Sequence, residues 1–318
     1  MKQSVLVAPR QSRIEERPIP QVGEADVLVK VKACGICTSE LLNWSGDNGS
    51  YPREIGHEVA GEVVAVGGRV SKFRPGMAVT GLFHSGFAEF VVARQELVTH
   101  VPKGMGLTDA LGEPLACILS GARRTPVEMG DTVALVGLGF MGLLMLQAVR
   151  LKGPAKIIGV DTRTEARKKA LLIGADEVLA PDQVTTQLKL TEWSQLGRGC
   201  GVDVAFETSG TQGGLTLAGQ MPHEHGVLSI VGFHQGGPRQ VDMELWNWKA
   251  LQVINAHERR QDYLMDCMRR GLDLIAAGKL DMASLVTHRF GLDQVDDAFR
   301  ALLAKPTGFI KATMVIDQ

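Results

Sequence analysis

From the N-terminus to about residue 115, apolar residues come in short runs that favour one side of an extended chain. Val27-Leu28-Val29-Lys30-Val31-Lys32-Ala33, Glu62-Val63-Val64-Ala65-Val66 and Phe87-Ala88-Glu89-Phe90-Val91-Val92 predict strands. Turn residues at Gly23, Gly67-Gly68, Pro75-Gly76 and Lys103-Gly104 keep them short, as a small β-barrel requires. From Leu115 the apolar spacing becomes helical, and from Val133 strand and helix patterns alternate. Val133–Val136, Ile157–Val160, Val202–Glu207, Val227–Val231 and Leu251–Ile254 read as strands. Leu143–Val149 reads as a helix, and so does Thr164–Ile173, with Thr164 as N-cap and Gly174 as its stop. Such alternation predicts a parallel, doubly wound sheet. His288-Arg289-Phe290 and Ile310–Ile316 return to strand character. The expected organisation is a β-barrel domain over 1–117, completed by 268–318, and an α/β domain over 118–267. Trp246 and Trp248, two apart, read as one face of a strand or loop.

Gly137-Leu138-Gly139-Phe140-Met141-Gly142 follows the strand at Val133 and opens the helix after it. In a Gly-x-Gly-x-x-Gly turn the first glycine permits the bend and the second admits a pyrophosphate to the backbone. The third lets helix and strand pack closely. The helix N-terminus then offers unpaired N–H groups to the phosphates. The next strand ends in Asp161, 24 residues after Gly137, where an acid would accept from the adenosine ribose hydroxyls. Its charge disfavours a 2′-phosphate, so NAD is expected over NADP. Arg163 tempers that preference without reversing it.

Length and charge narrow the classes. The chain has 318 residues, 45% of them hydrophobic, and a net charge of −1, which describes two ordinary globular domains. There is no basic field for nucleic acid and no apolar run of membrane-spanning length. Met1–Pro9 breaks before a signal-peptide core could form, and the expected location is cytoplasmic. Five scattered cysteines argue against a disulfide framework and for thiol or metal chemistry.

Three separated segments carry donor groups. Cys34-Gly35-Ile36-Cys37-Thr38-Ser39-Glu40 follows the first long strand, Gly56-His57-Glu58 comes next, and Glu113-Pro114-Leu115-Ala116-Cys117 closes the β-rich region. A thiolate, an imidazole and a carboxylate suit a catalytic zinc ion that keeps one position open. Taken singly, Cys-x-x-Cys could be a redox pair, His57 a surface histidine and Glu113 a helix-entry acid. A hydroxyl at Ser39 suits the start of a proton path, or a simple turn. Asn43, Trp44 and the segment around His257 are candidate substrate contacts. The two tryptophans at 246 and 248 suit packing or a subunit contact.

These motifs together resemble the zinc-dependent medium-chain dehydrogenase/reductases of the alcohol dehydrogenase type. The likeness rests on Cys-Gly-Ile-Cys-Thr-Ser, Gly-His-Glu-Val-Ala-Gly-Glu-Val-Val, Glu-Pro-Leu-Ala, Gly-Leu-Gly-Phe-Met-Gly and Thr-His-Arg-Phe at 287–290. It is nearest in look to the threonine and polyol dehydrogenase branch. The resemblance implies a GroES-like β-barrel catalytic domain and a Rossmann NAD-binding domain. It implies Cys37, His57 and Glu113 as zinc ligands, with Glu58 as a carboxylate that binds or releases the metal. Cys117 is the competing third ligand. Ser39 would hold the substrate alcohol and take its proton. Thr208 and Val231, at two Rossmann strand ends, would line the cofactor with Phe140, Met141 and Arg163.

The chain also departs from the family. Leu42 stands near the usual place of a relay histidine, Glu40 replaces an aspartate, and Thr80–Gly86 replaces a four-cysteine lobe. One catalytic zinc and no structural zinc are therefore expected. The implied reaction is reversible, NAD-linked oxidation of a secondary alcohol, such as a polyol, sugar derivative or amino alcohol, to a ketone. The implied assembly is a homodimer or homotetramer paired near Leu251–Ala256. The rival readings are a metal-free quinone or enoyl reductase and a non-catalytic nucleotide-binding protein.

Overall fold

The structure, a computed structural model, describes residues 1–46 and 50–316. Its strands are β1 (Lys2–Ala8), β2 (Gln11–Glu16), β3 (Asp26–Gly35), β4 (Arg53–Glu54), β5 (Glu58–Val66), β6 (Ala78–Gly81), β7 (Phe90–Arg94) and β8 (Val98–His100). There follow β9 (Thr132–Val136), β10 (Lys156–Val160), β11 (Glu177–Leu179), β12 (Val202–Glu207), β13 (Pro222–Ile230), β14 (Gln252–Asn255), β15 (Val286–Phe290) and β16 (Lys311–Val315). The helices are α1 (Leu41–Ser45), α2 (Gly112–Arg124), α3 (Phe140–Arg150), α4 (Thr164–Leu172), α5 (Gln212–Gln220), α6 (Met243–Trp248), α7 (Gln261–Ala276) and α8 (Val295–Ala304). Among the described residues no helix is long and apolar enough to cross a membrane.

Two compact units result: Met1–Cys117 with Arg259–Gln318, and Ile118–Glu258. The chain returns to the first unit at Arg259, earlier than the expected 268. The reason is α7, a single amphipathic helix that buries Met265, Met268 and Leu272 at helical spacing and packs on β8. A cut at 268 would split that face.

In the first unit β3 is the central strand. One edge pairs antiparallel with β5 along nearly its whole length. The other pairs with β7 through its first half and with β16 through its second. The order β15-β16-β3-β5-β6-β8 completes a mixed sheet, and β2-β1-β4 forms a smaller one. Their core holds Val29, Val31, Ile36, Phe87 and Phe299. Trp44 belongs to it too, at 1% exposure, which corrects its reading as a substrate contact. Its ring stacks on Phe299 at 5.4 Å, and its indole N–H donates to Asp296 at 2.8 Å.

The second unit is a six-stranded parallel sheet in the order β11-β10-β9-β12-β13-β14. Two local expectations fail. Thr164 is the first helical residue of α4, and Arg163 is its N-cap, a one-residue shift at a helix end. Trp246 and Trp248 lie on α6, which Asp242 caps by accepting from the Leu245 N–H at 2.9 Å. Two residues apart on a helix they face differently. Trp246 is in the core, and Trp248 stacks on Trp193 at 4.9 Å.

Asp296 ties β2 to this aromatic core, accepting from the Ser12 N–H, the Ser12 hydroxyl and Trp44, each at 2.8 Å. Asp296→Ala strands those donors and should cost roughly 2–4 kcal/mol. Chemical denaturation checks this; an unchanged midpoint would refute it.

Candidate active site

The donor groups come together because β3 and β5 pair with Gly35 opposite Glu58. Ile36 and Cys37 follow directly, and a short turn of helix over Thr38–Glu40 bends the chain back. Gly35 is required there, since a Cβ would overlap Glu58 Oε2. Gly56 is required too, with φ +100° and the backbone N of Phe87 at 2.7 Å from where its Cβ would stand. These two glycines let Cys37, His57 and Glu58 present one ligand atom each, all within 4.8 Å of one another. The Ser39 hydroxyl lies 3.2 Å from Cys37 Sγ.

Thr80, fully buried, links this pair of strands to α2. Its hydroxyl donates to the Val59 carbonyl at 2.6 Å and accepts from the Gly112 N–H at 3.0 Å. Glu113 thereby enters the first turn of α2, where its Oε1 accepts from the Cys117 thiol at 3.3 Å. The structure thus clusters Cys37, His57 and Glu58. It leaves Glu113 paired with Cys117 and close enough to feel the charges of His57, Glu58 and Lys311. Burial, and then the facing Glu113 carboxylate, push the Cys117 thiol well up, so it stays protonated. Burial likewise pushes up Cys34, which packs in the core.

The site demands positive charge. Burial, the largest influence on His57, disfavours its imidazolium. Hydrogen bonds to Cys37 and Glu40 and the attraction of their charges outweigh it, and the pKa is pushed up to about 12. Glu40 accepts from the Gly56 N–H at 2.6 Å and faces His57 Nδ1 at 3.1 Å, which leaves Nε2 as the ring's ligand atom. The other oxygen of Glu40 is buried without a partner. Thiolate, imidazole and carboxylate around such a deficit of cation fit a zinc ion. Lys311, which the sequence reading missed, supplies one fixed charge. Burial opposes that charge, but Glu58 more than restores it. A lysine inside the apolar run Ile310–Ile316 was the available signal.

In the second unit the glycine turn is built as its spacing predicts. Gly137 has φ +102°, and its N–H donates to the Val160 carbonyl at 2.8 Å. A Cβ on Gly142 would overlap the Gly137 carbonyl, whereas one on Gly139 would meet nothing within 4 Å. Phe140 and Met141 open α3. Asp161 accepts from the Leu138 N–H at 2.7 Å and the Arg163 N–H at 2.8 Å, with the Arg163 guanidinium at 3.4 Å. The Thr208 hydroxyl donates back to Gly137 and Val136 carbonyls, so its side chain braces the turn. The Val231 N–H donates to the Glu207 carbonyl at 2.8 Å. Sequence reasoning also missed His234, which meets the fully buried Glu207 carboxylate at 2.7 Å.

The remaining candidates are spoken for. Asn43 accepts from Arg53 through its side chain and from the Tyr51 hydroxyl through its carbonyl. His257 is exposed, its ring tilted against Phe233 at 5.6 Å.

Comparison with known proteins agrees with this architecture. The alcohol dehydrogenase GroES-like domain family matches residues 23–103, and the zinc-binding dehydrogenase family matches residues 141–274. Sorbitol dehydrogenase of Bacillus subtilis is 29% identical, over 95% of this chain and 94% of that one. L-Threonine 3-dehydrogenase of Pyrococcus abyssi is 27% identical over 93% of each. A solved structure from Sinorhizobium meliloti, described as a candidate zinc-binding dehydrogenase and bound to NADP, superposes with a TM-score of 0.85. It is 26% identical, and the match covers 99% of this chain and 98% of that one.

The two inner glycines separate fold from ligand. Gly142→Ala should lower the melting temperature, costing about 1–3 kcal/mol by its clash with backbone. Gly139→Ala should melt normally yet weaken dinucleotide binding about tenfold or more, since its methyl enters open space beside α3. Thermal unfolding beside NADH fluorescence titration checks both; equal behaviour of the two variants would contradict this.

Proposed function

The chain belongs to the zinc-dependent alcohol and polyol dehydrogenases, and from that premise we propose that it oxidises a secondary alcohol bearing further polar groups to a ketone, with NAD as hydride acceptor. The observation that carries this reading is the convergence of Cys37, His57 and Glu58 with the Ser39 hydroxyl on the Cys37 sulfur. Cys37, His57 and Glu113 would hold one zinc ion, with Glu58 beside them. A zinc ion there supplies Lewis-acid polarisation, lowering the pKa of an alcohol oxygen. Ser39, next to a ligand atom, would hold that alcohol and hand on its proton. Leu42 cannot pass the proton on, and Asn43 already binds Arg53 through its amide oxygen. Water or the cofactor ribose then completes the path.

Preference for NAD is supported by the Asp161 carboxylate beside the glycine turn, with Arg163 offsetting part of its charge. Thr80–Gly86 carries no cysteine, which supports a single zinc per chain. None of the five cysteines, all of them among the described residues, is in a disulfide, which suits a reducing compartment such as the cytoplasm. The edge strand β14 offers unpaired backbone groups for a homodimer, or a homotetramer built from it. Sorbitol and threonine dehydrogenases among the relatives favour polyols and amino alcohols as the substrate class.

Elemental analysis with NAD reduction over polyols, amino alcohols and simple secondary alcohols tests this reading. About one zinc per chain is expected, with turnover on a polyhydroxylated substrate. Ser39→Ala should keep the zinc and lose roughly a hundredfold in kcat. Zinc-free protein that added zinc cannot activate would instead favour a metal-free reductase.

A further inference from the structure

The Glu58 carboxylate is claimed from two sides. It supplies one of the three ligand atoms grouped within 4.8 Å. The same carboxylate faces the Lys311 ammonium, 2.8 Å from Oε1 and 2.6 Å from Oε2. Both side chains are deeply buried, Glu58 at 1% exposure and Lys311 at 4%. Lys311 is also held in place, because its ammonium donates to the Ile36 carbonyl at 2.9 Å, one residue before Cys37. The backbone fixes this further. The Ile36 N–H donates to the Ala312 carbonyl at 3.0 Å, and β16 pairs with β3 with Met314 opposite Cys34. The ammonium therefore rides on the same sheet that leads into Cys37.

Glu58 Oε1 accepts a hydrogen bond from the ammonium, while Oε2 lies in ion-pair range but has no hydrogen-bond partner of its own. A carboxylate held against an ammonium in this way has less charge to give a metal. Lysine and metal ion thus compete for one group, and the sheet keeps the lysine within reach. We propose that Lys311 is a positioning residue that holds Glu58 back as a reserve ligand, so that one coordination position of the metal stays clear of protein groups. This rests on the proposed zinc site and adds a control to it. Without the ammonium, a buried Glu58 has the metal as its nearest remaining cation and becomes a standing ligand. The expected sign is opposite to that of a merely structural lysine. Removing a structural support loosens a metal, whereas removing this competitor tightens it.

The test compares Lys311→Met, Glu58→Gln and the double variant with the wild type. The wild type is first assayed for zinc. The rate of zinc loss to a chelator is then followed, and the visible spectrum of the cobalt(II)-substituted protein is recorded. Lys311→Met should release zinc about tenfold more slowly and shift the cobalt bands. In the Glu58→Gln background the same substitution should change neither. If Lys311→Met does not fold, Lys311→Gln, which keeps a donor for the Ile36 carbonyl, carries the same expectation. Release as fast as or faster than the wild type, or an effect that persists without the Glu58 charge, overturns the proposal while leaving the zinc site intact. A wild type that binds no zinc overturns both.

Discussion

Everything at the metal-type site depends on one close approach, the Glu58 carboxylate lying against the backbone of Gly35. The pairing of β3 with β5 sets those residues opposite each other, and the missing Cβ is what lets the carboxylate in. From that contact the chain leaves β3 through Cys37 on one side and reaches β5 through His57 on the other. Two strands distant from each other in sequence thus deliver a thiol and an imidazole to one point. Thr80 extends the arrangement to α2, and Lys311 enters from β16. The candidate ligands sit at strand ends and a helix start, where a rigid sheet fixes them better than a long loop could.

The electrostatics follow from that geometry. Cys37, Glu40, Glu58 and Glu113 gather around a poorly hydrated point, and such a group is costly unless cations answer it. Lys311 answers part, and hydrogen bonds to Cys37 and Glu40 with the attraction of their charges push His57 up as well. A divalent ion would meet that demand, with a ring nitrogen of His57 left to coordinate it. The second unit solves a different problem with backbone alone. Its glycine turn is braced by Asp161 from one side and Thr208 from the other, which fixes the turn that opens α3.

Much of this was legible in the sequence because the relevant signals are local. Strands such as Val202–Glu207 and the glycine turn before α3 are written in contiguous residues, and the candidates Cys37, His57 and Asp161 each stand in a short motif of their own. What escaped depends on distant pairing. Lys311 and Thr80 look like ordinary strand residues until β16 and β6 are placed beside β3 and β5. His234 gains meaning only from its meeting with Glu207. Trp44 was misjudged because proximity in sequence to Cys37 suggested the pocket. The short α1 instead turns its ring inward onto Phe299. The paired tryptophans were misjudged because a spacing of two reads as strand, while the Asp242 cap makes that stretch helical.

The number of sulfur ligands is the sharpest consequence of this geometry. Among the described residues Cys37 is the sulfur donor grouped with His57 and Glu58, while the Cys117 thiol is turned to Glu113 and Cys34 is packed in the core. Zinc-edge X-ray absorption of the purified protein reads this directly. One sulfur at about 2.3 Å is expected, with nitrogen and oxygen making up the rest of the shell. Two or more sulfurs per zinc would contradict it, for then Cys117 or Cys34 must ligate and the metal does not sit among Cys37, His57 and the two glutamates.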